Sequence, residues 1–433
     1  MNLITRINAL ERFGIKPGLE RIKTLLTHLN HPESAYRTIL VAGTNGKGST
    51  CAMIESILRV SGYKTGLYTS PHLVYLNERI KVDQEMIDDN SLNGIADTLF
   101  KIIEKDPELS DTTYFEFLTG MALLYFSYKK IDVAVLEVGM GGRFDATNAV
   151  NPDISIVTNI ALDHQQYLGD TVEKIALEKA GIIREHKPFI TTDVNPESRH
   201  VLEQEANRKN AILYGINHDF FVSGDESNMA FRNNTHSISN LTLSLKGRHQ
   251  LLNAGAAIQA VLLIDNSGSK VQEHTIRKGL SNTFWPGRFE IIKRHPDVIL
   301  DSAHNPAGIR ALVQTIKDYY LTGSHGSCLK DGFLTTVFAV SRDKDWRAMV
   351  SMLIEVSNAF ILTCYEGERS AQPESIADFI SSTNNGLKHI EVIKSSGLAI
   401  KHAIDITPTN GLIVVTGSIF LIGEIKRRHG YDL

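Results

Sequence analysis

Residues 41–50 read VAGTNGKGST, a glycine-rich run whose residue types and spacing favour phosphate binding. The apolar residues 38–41 predict a buried strand, and residues 51–60 have the apolar spacing of a helix. In such a strand–turn–helix unit, backbone N–H groups and the helix dipole attract an anion. Lys47 adds a charge for the terminal phosphates, and Ser49 or Thr50 offers a hydroxyl to phosphate or Mg²⁺. The alternative is a glycine-rich turn with an incidental lysine.

Three further polar residues follow apolar stretches or end a helical pattern in the same region. Glu137 ends an apolar stretch, where a carboxylate beside a phosphate loop is expected to bind the Mg²⁺ of a nucleotide. His164, next to Asp163, follows another such stretch and reaches the same edge of the predicted sheet. Lys179 lies near the end of a helical pattern. The alternatives are a glutamate in a turn, a structural histidine, and a lysine that compensates the helix dipole.

A second group of polar residues lies further along the chain. Asp301 ends a predicted strand, and Asn305 is a suitable cap for the helix that follows. An aspartate at a strand end suits a ribose hydroxyl, and His304 suits an adenine face or a phosphate. Arg288 could bind phosphates as a bidentate clamp, although a lone arginine is more often a surface residue.

The elements that must position these residues alternate between strands and helices. In the first part of the chain the predicted strands are residues 38–41, 65–68, 133–137, 154–157 and 189–191. The helical patterns there are residues 51–60, 85–103, 115–128 and 172–183. This alternation predicts an α/β protein with a mostly parallel, doubly wound sheet that binds ligands at the carboxyl ends of its strands. Shorter runs at residues 213–245 predict a small antiparallel addition.

A proline and a glycine at positions 286 and 287 interrupt the chain, and we place a domain boundary there. The alternation then begins again, with predicted strands at residues 298–301, 334–340, 359–363 and 412–416. We therefore predict an N-terminal P-loop domain at residues 1–287 and a smaller, Rossmann-like α/β domain at residues 288–433.

Length, composition and charge are those of an ordinary globular protein. The 433 residues exceed what one hydrophobic core usually supports, and 42% of them are hydrophobic and 22% charged. The net charge of −4 gives no reason to expect a nucleic acid as partner. The three cysteines lack metal-ligand spacing and indicate a reducing compartment. Since no apolar run is long enough to span a membrane, we expect a cytoplasmic protein without membrane contact.

Taken together and in this order, the motifs resemble those of folylpolyglutamate synthase/dihydrofolate synthase, within the Mur ligase superfamily of ATP-dependent amide ligases. Gly48, directly after the lysine, departs from the usual P-loop pattern but is the expected form in this family. The resemblance covers nearly the whole chain. The matching segments are residues 13–21, 43–50, 68–72, 77–79, 137–148, 163–164, 178–183, 247–249 with 253, 286–289, 301–306 and 415–418.

The resemblance implies ATP as a substrate and Mg²⁺ at two sites, in an active site between an N-terminal ATPase domain, which also binds folate, and a C-terminal glutamate ligase domain. The residues implied to bind the nucleotide are Gly43, Thr44, Asn45, Gly46, Lys47, Gly48, Ser49, Thr50, Asn253, Arg288, Asp301 and His304. Those implied to hold the metal are Ser70, Glu137, His164 and Lys179, the last of them carbamylated. Those implied to bind the folate or the incoming glutamate are Lys16, Arg21, Arg79, Lys344, Asp345 and Ser418. Those implied to act in catalysis are Lys47, His164, Lys179 and Arg288.

By the same resemblance, the enzyme adds L-glutamate to the glutamyl carboxylate of reduced folates, and action on dihydropteroate stays open. The carboxylate attacks the γ-phosphate of ATP, and the amine of glutamate then attacks the resulting acyl phosphate. This reaction needs no protein nucleophile, and the chain has no persuasive Ser-His-Asp or Cys-His arrangement. We expect small-molecule substrates only, and a monomer.

Two other functions are compatible with a phosphate loop. A ligase that adds amino acids to a UDP-linked muramyl acid would carry an extra domain before the loop, whereas the loop begins here at Gly43. A P-loop switch or adaptor protein would not need Glu137, His164 and Lys179 to converge on metal. One departure from the family pattern concerns the predicted glutamate pocket, because residues 339–342 read AVSR where a glycine-containing turn is usual.

Overall fold

The computed structural model describes residues 3–265, 269–321, 332–383 and 389–429 of the chain. By its internal contacts the chain divides into two compact units, Met1–Ser244 with Gln250–Phe284, and Leu245–His249 with Trp285–Leu433. We keep the domain limits 1–287 and 288–433 as a proposal; the units differ from them at residues 245–249 and 285–287. Cys328 lies outside the described residues.

The main sheet of the first unit is built around the strand that precedes the phosphate loop. Its strands, β1 to β8, are Arg37–Ala42, Thr65–Tyr68, Ile80–Val82, Glu85–Met86, Val133–Glu137, Ile154–Val157, Pro188–Thr191 and Ile212–Gly215. Their order is β4-β3-β2-β5-β1-β6-β7-β8, with parallel pairing from β2 to β8 and antiparallel pairing of β3 and β4. Strands β1, β5 and β6 are buried along nearly their whole length, because helices cover both faces of such a sheet. The predicted α/β architecture is confirmed.

The helices of the first unit complete its hydrophobic core. These helices, α1 to α10, are Leu3–Asn8, Glu20–His28, Lys47–Val60, Asp89–Lys105, Tyr114–Lys129, Gln165–Leu168, Val172–Ala180, Pro196–Arg208, His249–Ile264 and Glu273–Ser281. Helix α5 packs against α2 and α4 and is buried on all sides along most of its length. An apolar surface all round is what a helix in the middle of a core requires.

Two sequence predictions for the first unit, an antiparallel addition and a helix over residues 85–103, can be compared with the structure. The predicted antiparallel addition is confirmed as a three-stranded sheet of β9 (Phe220–Ser223), β10 (Met229–Asn233) and β11 (Ser237–Leu241). Its predicted start at residue 213 is wrong, because residues 213–215 belong to β8, which pairs parallel with β7 in the main sheet. The helix predicted over residues 85–103 is wrong at its start, since residues 85–86 form β4. The helix begins later because the Asp88 carboxylate accepts the N–H of Ser91 at 2.8 Å and caps it.

The second unit is a smaller parallel α/β unit. Its strands, β12 to β17, are Glu290–Lys293, Asp297–Leu300, Leu334–Phe338, Ala359–Cys364, His389–Ser395 and Leu412–Thr416. Its helices, α11 to α15, are Pro306–Ile316, Trp346–Ile354, Pro373–Ser382, Ser396–Ile406 and Ile419–His429. The strand order is β12-β13-β17-β14-β15-β16, so that the strand latest in the chain lies between β13 and β14. Among the strands described in this second unit, only β12 pairs antiparallel, with β13.

Candidate active site

The phosphate loop joins β1 to α3 and needs glycine at two positions. Gly43 has a φ of 148° and Gly46 a φ of 85°, in the region that side chains disfavour. A Cβ at Gly43 would overlap Oγ1 of Thr158, and one at Gly46 would lie 2.5 Å from Oδ1 of Asn253. Both glycines therefore allow a close approach of backbone to neighbouring side chains. Helix α3 begins at Lys47, directly after this turn.

Two N–H groups of the loop are used within the protein. The N–H of Thr44 donates to the carbonyl oxygen of Asn159 at 2.7 Å, and the N–H of Asn45 donates to its Oδ1 at 2.9 Å. The first N–H groups of a helix have no intrahelical acceptor, so the start of α3 is the part of the loop suited to an anion. The sequence analysis missed Asn159, although its position just after β6, at the same sheet edge, is the signal that could have found it.

Lys47 and Lys179 meet at one carbonyl oxygen of the loop. Nζ of Lys47 donates to the oxygen of Gly43 at 3.0 Å, and Nζ of Lys179 donates to the same oxygen at 2.9 Å. Lys179 is 3% exposed. Its burial, and then the charge of Lys47, lower the pKa of Lys179 to about 7. The structure thus places Lys179 at the phosphate loop.

Glu137 ends β5 beside the phosphate loop. The pairing of β1 with β5 puts Glu137 opposite Val41, and the Glu137 side chain is buried. Its Oε2 accepts the N–H of Ser70 at 3.1 Å, so that two of the predicted metal-binding residues are adjacent. His164 has a φ of 51°, and its N–H donates to Oδ1 of Asp163 at 2.9 Å.

These residues fit a magnesium site that shares its ligands with a nucleotide. Within the described ranges, no group of three or more His, Cys, Asp and Glu residues is arranged to hold a metal ion by itself. Mg²⁺ in nucleotide sites is usually held by one or two carboxylates, while waters and substrate phosphates supply the other ligands. The buried Glu137 carboxylate, on the strand next to the one that leads into the phosphate loop, has the position and chemistry that such a ligand needs.

The loop after Glu137 packs against the end of helix α7, which carries Lys179. The carboxylate of Asp145 holds this loop: its Oδ2 accepts the N–H of Met140 at 2.9 Å, and burial raises its pKa. The N–H of Arg143 donates to the carbonyl oxygen of Glu178 at 2.8 Å. These bonds connect the segment after Glu137 with the helix that carries Lys179.

We expect Gly181→Ala to lower both stability and activity. A Cβ at Gly181 would overlap the backbone of Arg143, so the loop and helix α7 would have to move apart. Overpacking of this kind costs about 1–3 kcal/mol, which denaturant unfolding would measure beside the turnover rate. The matched control is Gly94→Ala in α4, where a Cβ meets nothing within 4 Å. Alanine there should stabilise the protein by about 0.5–1 kcal/mol, and equal effects of the two substitutions would contradict the packing.

Helix α9 supplies side chains to the start of α3. Asn253 is buried beside Gly46, and its Nδ2 donates to Oε1 of Gln250 at 2.9 Å. Nε2 of Gln250 in turn lies 3.5 Å from Oγ of Ser49. Two residues assigned to nucleotide binding from sequence, Ser49 and Asn253, therefore lie at one place in the structure.

Two basic residues assigned to the folate lie together near the N-terminus. Nζ of Lys16 lies 2.6 Å from Oδ2 of Asp111, and Nε of Arg21 donates to Oε2 of Glu116 at 3.1 Å. Arg21 also donates to the carbonyl oxygen of Lys16 at 3.0 Å. Each cation thus has an acidic partner in the same unit.

Arg79 follows a loop with a well-bonded backbone. The carboxylate of Glu78 accepts the N–H groups of residues 73–75 at 2.7–2.8 Å, which ties this part of the loop to Glu78. Nε of Arg79 donates to Nδ1 of His72 at 2.9 Å, and the arginine is 8% exposed.

In the second unit, Asp301 organises the segment that carries Arg288. Its carboxylate accepts the N–H of Phe289 and the N–H of Ala303, both at 2.9 Å. A carboxylate has about four lone-pair positions, so acceptor capacity remains for a ribose hydroxyl. Arg288 is half-buried in this arrangement.

The other predicted residues of the second unit lie at the carboxyl ends of its strands. Nδ1 of His304 lies 3.0 Å from the carbonyl oxygen of Ser302. The predicted cap is confirmed, because Oδ1 of Asn305 accepts the N–H of Gly308 at 2.8 Å at the start of α11.

The three residues assigned to the incoming glutamate are built into turns of the same sheet edge. Oδ1 of Asp345 accepts the N–H of Ala348 at 3.2 Å and caps α12. The N–H of Lys344 donates to the carbonyl oxygen of Ser341 at 3.1 Å. Ser418 is buried and directly precedes α15.

Comparison with known families agrees with this arrangement. The Mur ligase middle domain matches residues 41–261, and the Mur ligase glutamate ligase domain matches residues 287–419. A parallel α/β unit with a phosphate loop and a buried carboxylate, followed by a glutamate ligase domain, defines an ATP-dependent amide ligase of the Mur type. No helix in the described part of the chain is long and apolar enough to cross a membrane.

Two curated relatives align with almost the whole chain. The dihydrofolate synthase/folylpolyglutamate synthase of Bacillus subtilis is 33% identical over 434 residues, which cover 96% of this chain and 96% of the relative. The enzyme of the same description from Escherichia coli is 35% identical, covering 94% and 90%. The chain therefore belongs to the dihydrofolate synthase/folylpolyglutamate synthase family of Mur ligases.

Solved structures of this family have the same fold. Folylpolyglutamate synthase of Mycobacterium tuberculosis complexed with ADP aligns with a TM-score of 0.90 at 30% identity, over 99% of this chain and 98% of that one. Escherichia coli FolC in complex with DHPP and ADP aligns with a TM-score of 0.86 at 32% identity, over 98% and 97%.

Proposed function

We propose that this protein uses ATP to add L-glutamate to the glutamyl carboxylate of reduced folates, and that it also joins glutamate to dihydropteroate. One observation carries the proposal: Lys47 and Lys179 meet at the Gly43 carbonyl, in a chain that matches synthases of this description over almost its full length. The second activity is supported by the relatives, since those from Bacillus subtilis and Escherichia coli are named for both reactions.

In this proposal the start of α3 and Lys47 bind the β- and γ-phosphates of ATP. Ser49 and Asn253 lie beside the same turn, which supports their assignment to the nucleotide. Arg288, Asp301 and His304 of the second unit are assigned to the nucleotide as well, with Arg288 at its phosphates. A solved relative from Yersinia pestis holds Mn, AMPPNP and L-glutamate, which supports a nucleotide, a divalent cation and glutamate as ligands.

Glu137, Ser70 and His164 are the proposed ligands of Mg²⁺, at two sites. The bound cation would supply positive charge that offsets the negative charge of the phosphates. Glu137 is suited to this role because it is buried and its Oε2 accepts the backbone N–H of Ser70, a second proposed ligand. Lys47 adds a fixed charge at the same place, and such preorganised charges act on the transition state.

Lys179 is proposed to be carbamylated and thereby to add a carboxylate beside the metal. Its burial and its position at the carbonyl oxygen of Gly43 support this role over that of a solvated cation at a helix end. A carbamate also carries a negative charge, which would be attracted by Lys47 on the same carbonyl oxygen.

The purified protein should release phosphate from ATP only when a folate-type acid, L-glutamate and Mg²⁺ are all present. The reason is that ATP passes its γ-phosphate to the acid, and phosphate leaves only when the amine of glutamate displaces it from the acyl phosphate. Phosphate release would be measured with tetrahydrofolate and with dihydropteroate in separate assays, each with one component omitted in turn. Equal ATPase activity without any pteridine substrate would contradict the ligase and favour a nucleotide switch, and activity with tetrahydrofolate alone would restrict the enzyme to polyglutamylation. The monomeric state and cytoplasmic location stay predictions.

A further inference from the structure

A buried ion pair connects the segment of Arg288 with helix α15. Nζ of Lys426 lies 2.7 Å from Oε1 of Glu290, and the two side chains are only 4% and 11% exposed. The other oxygen of the same carboxylate, Oε2, accepts the N–H of Gly287 at 2.7 Å. Glu290 therefore holds the backbone on one side of Arg288 while Lys426 holds Glu290.

The turn that contains Arg288 has an unfavourable backbone conformation, which hydrogen bonds from neighbouring segments must stabilise. Gly287 has a φ of 67° and Phe289 a φ of 47°, so both neighbours of Arg288 are left-handed. A bulky aromatic residue is strained in this region, and such strain persists only where the surroundings impose it. Two further bonds impose it here: Phe289 donates its N–H to Asp301, and Ser302 donates its N–H to the carbonyl oxygen of Gly287, both at 2.9 Å.

The carboxylate of Glu290 can accept the N–H of Gly287 in this buried place only if a cation compensates its negative charge. A buried ionised carboxylate is costly without a cation, and removing one partner of a buried pair leaves that cost in full. Glu290 would then turn towards water and give up the N–H of Gly287. Exposed ion pairs, such as Lys317 with Glu355 at 3.3 Å, do not have this consequence, because water compensates both charges.

We propose that Lys426 is a positioning residue of the ligase: through Glu290 it fixes the turn of Gly287, so that Arg288 is presented to the phosphates of ATP in a single conformation. This inference rests on the proposed function, in which Arg288 acts at those phosphates. Lys426 itself acts only through the turn, so we do not assign it a catalytic role.

The first test is Lys426→Met, which keeps the length of the side chain and removes its charge. Turnover should fall about 10- to 100-fold and the KM for ATP should rise, because small misplacements of a positioned group have effects of this size. The KM for the folate should not change. The matched control is Lys317→Met, which removes the exposed lysine of the pair described above and should leave turnover within about twofold of the wild type.

A second variant separates the positioning role from general loss of stability. In the double variant Glu290→Gln with Lys426→Met, the glutamine oxygen can still accept the N–H of Gly287, and no uncompensated charge is buried. Its turnover should recover to within about fivefold of the wild type. Recovery keeps the test decisive even if Lys426→Met alone fails to fold, and a double variant as inactive as the single one would overturn the proposal.

The third arm combines Lys426→Met with Arg288→Ala. If Lys426 acts through Arg288, the double variant should turn over as fast as Arg288→Ala alone, because the effects of coupled residues are not additive. A full additional loss would overturn the inference, and so would wild-type turnover in Lys426→Met. A wild type without any glutamate-dependent turnover would instead refute the proposed function, so the two failures are distinguishable.

Discussion

Lys47→Ala is expected to lower glutamate-dependent turnover by about 10²–10³-fold, the usual effect of removing a preorganised charge from a transition state. Lys47 begins α3, and its ammonium group lies on the phosphate loop. There it would stabilise the negative charge that develops on the phosphate oxygens during phosphoryl transfer. Steady-state kinetics with saturating ATP, tetrahydrofolate and glutamate would measure the loss.

The fold should survive this substitution, because Lys47 is only partly buried and its bonds go to carbonyl groups of the loop. Lys101→Ala, on the exposed side of α4, is the control and should leave turnover unchanged. A folded Lys47→Ala protein with near-normal turnover would contradict the phosphate-binding role.

Lys179→Arg is expected to lose most of the activity, by about 100-fold. An arginine cannot form a carbamate, and its guanidinium stays charged at every accessible pH. It would place a permanent cation near Lys47 instead of the proposed carboxylate. If Lys179 were only a cation at a helix end, the arginine variant would be almost as active as the wild type.

Chemical rescue distinguishes a missing carboxylate from a damaged fold. Lys179→Ala leaves space next to the carbonyl oxygen of Gly43, and short-chain carboxylic acids in the assay should restore part of its turnover. Formate and acetate would be compared with chloride at equal ionic strength. A fully active arginine variant, together with unmodified lysine density in a crystal of the wild type, would return Lys179 to a structural role.

The main elements of the first unit were predictable because their signals are local. Strands β2, β5 and β6 begin and end where the apolar runs do, since strands that are buried on both faces consist of apolar residues throughout. Strand β16 carries no such signal. It lies at the edge of its sheet, none of its residues is fully buried, and charged residues interrupt its apolar residues, so it shows no continuous apolar run.

The sequence indicated which residues belong to the candidate site, but it did not indicate which of them contact one another. Spacing and resemblance indicated Lys47, Glu137 and Lys179, each next to a strand or helix end. No local pattern could show that both lysines meet at the oxygen of Gly43, because the chain separates them by most of the first unit's sheet. Asn159 was missed for the same reason: its partners, Thr44 and Asn45, belong to a distant segment.

The strand order has a consequence for how the protein is made. β17, near the end of the chain, lies between β13 and β14, so during synthesis the second sheet stays in two separate pieces until residues 412–416 have left the ribosome. The first unit is complete earlier, since all its strands and helices are available once Phe284 has emerged. Because domains tend to fold as units in the order of translation, we expect the ribosome to carry a folded nucleotide-binding unit beside an unfinished one. Ligase activity would then begin only after residues 412–416 have left the ribosome.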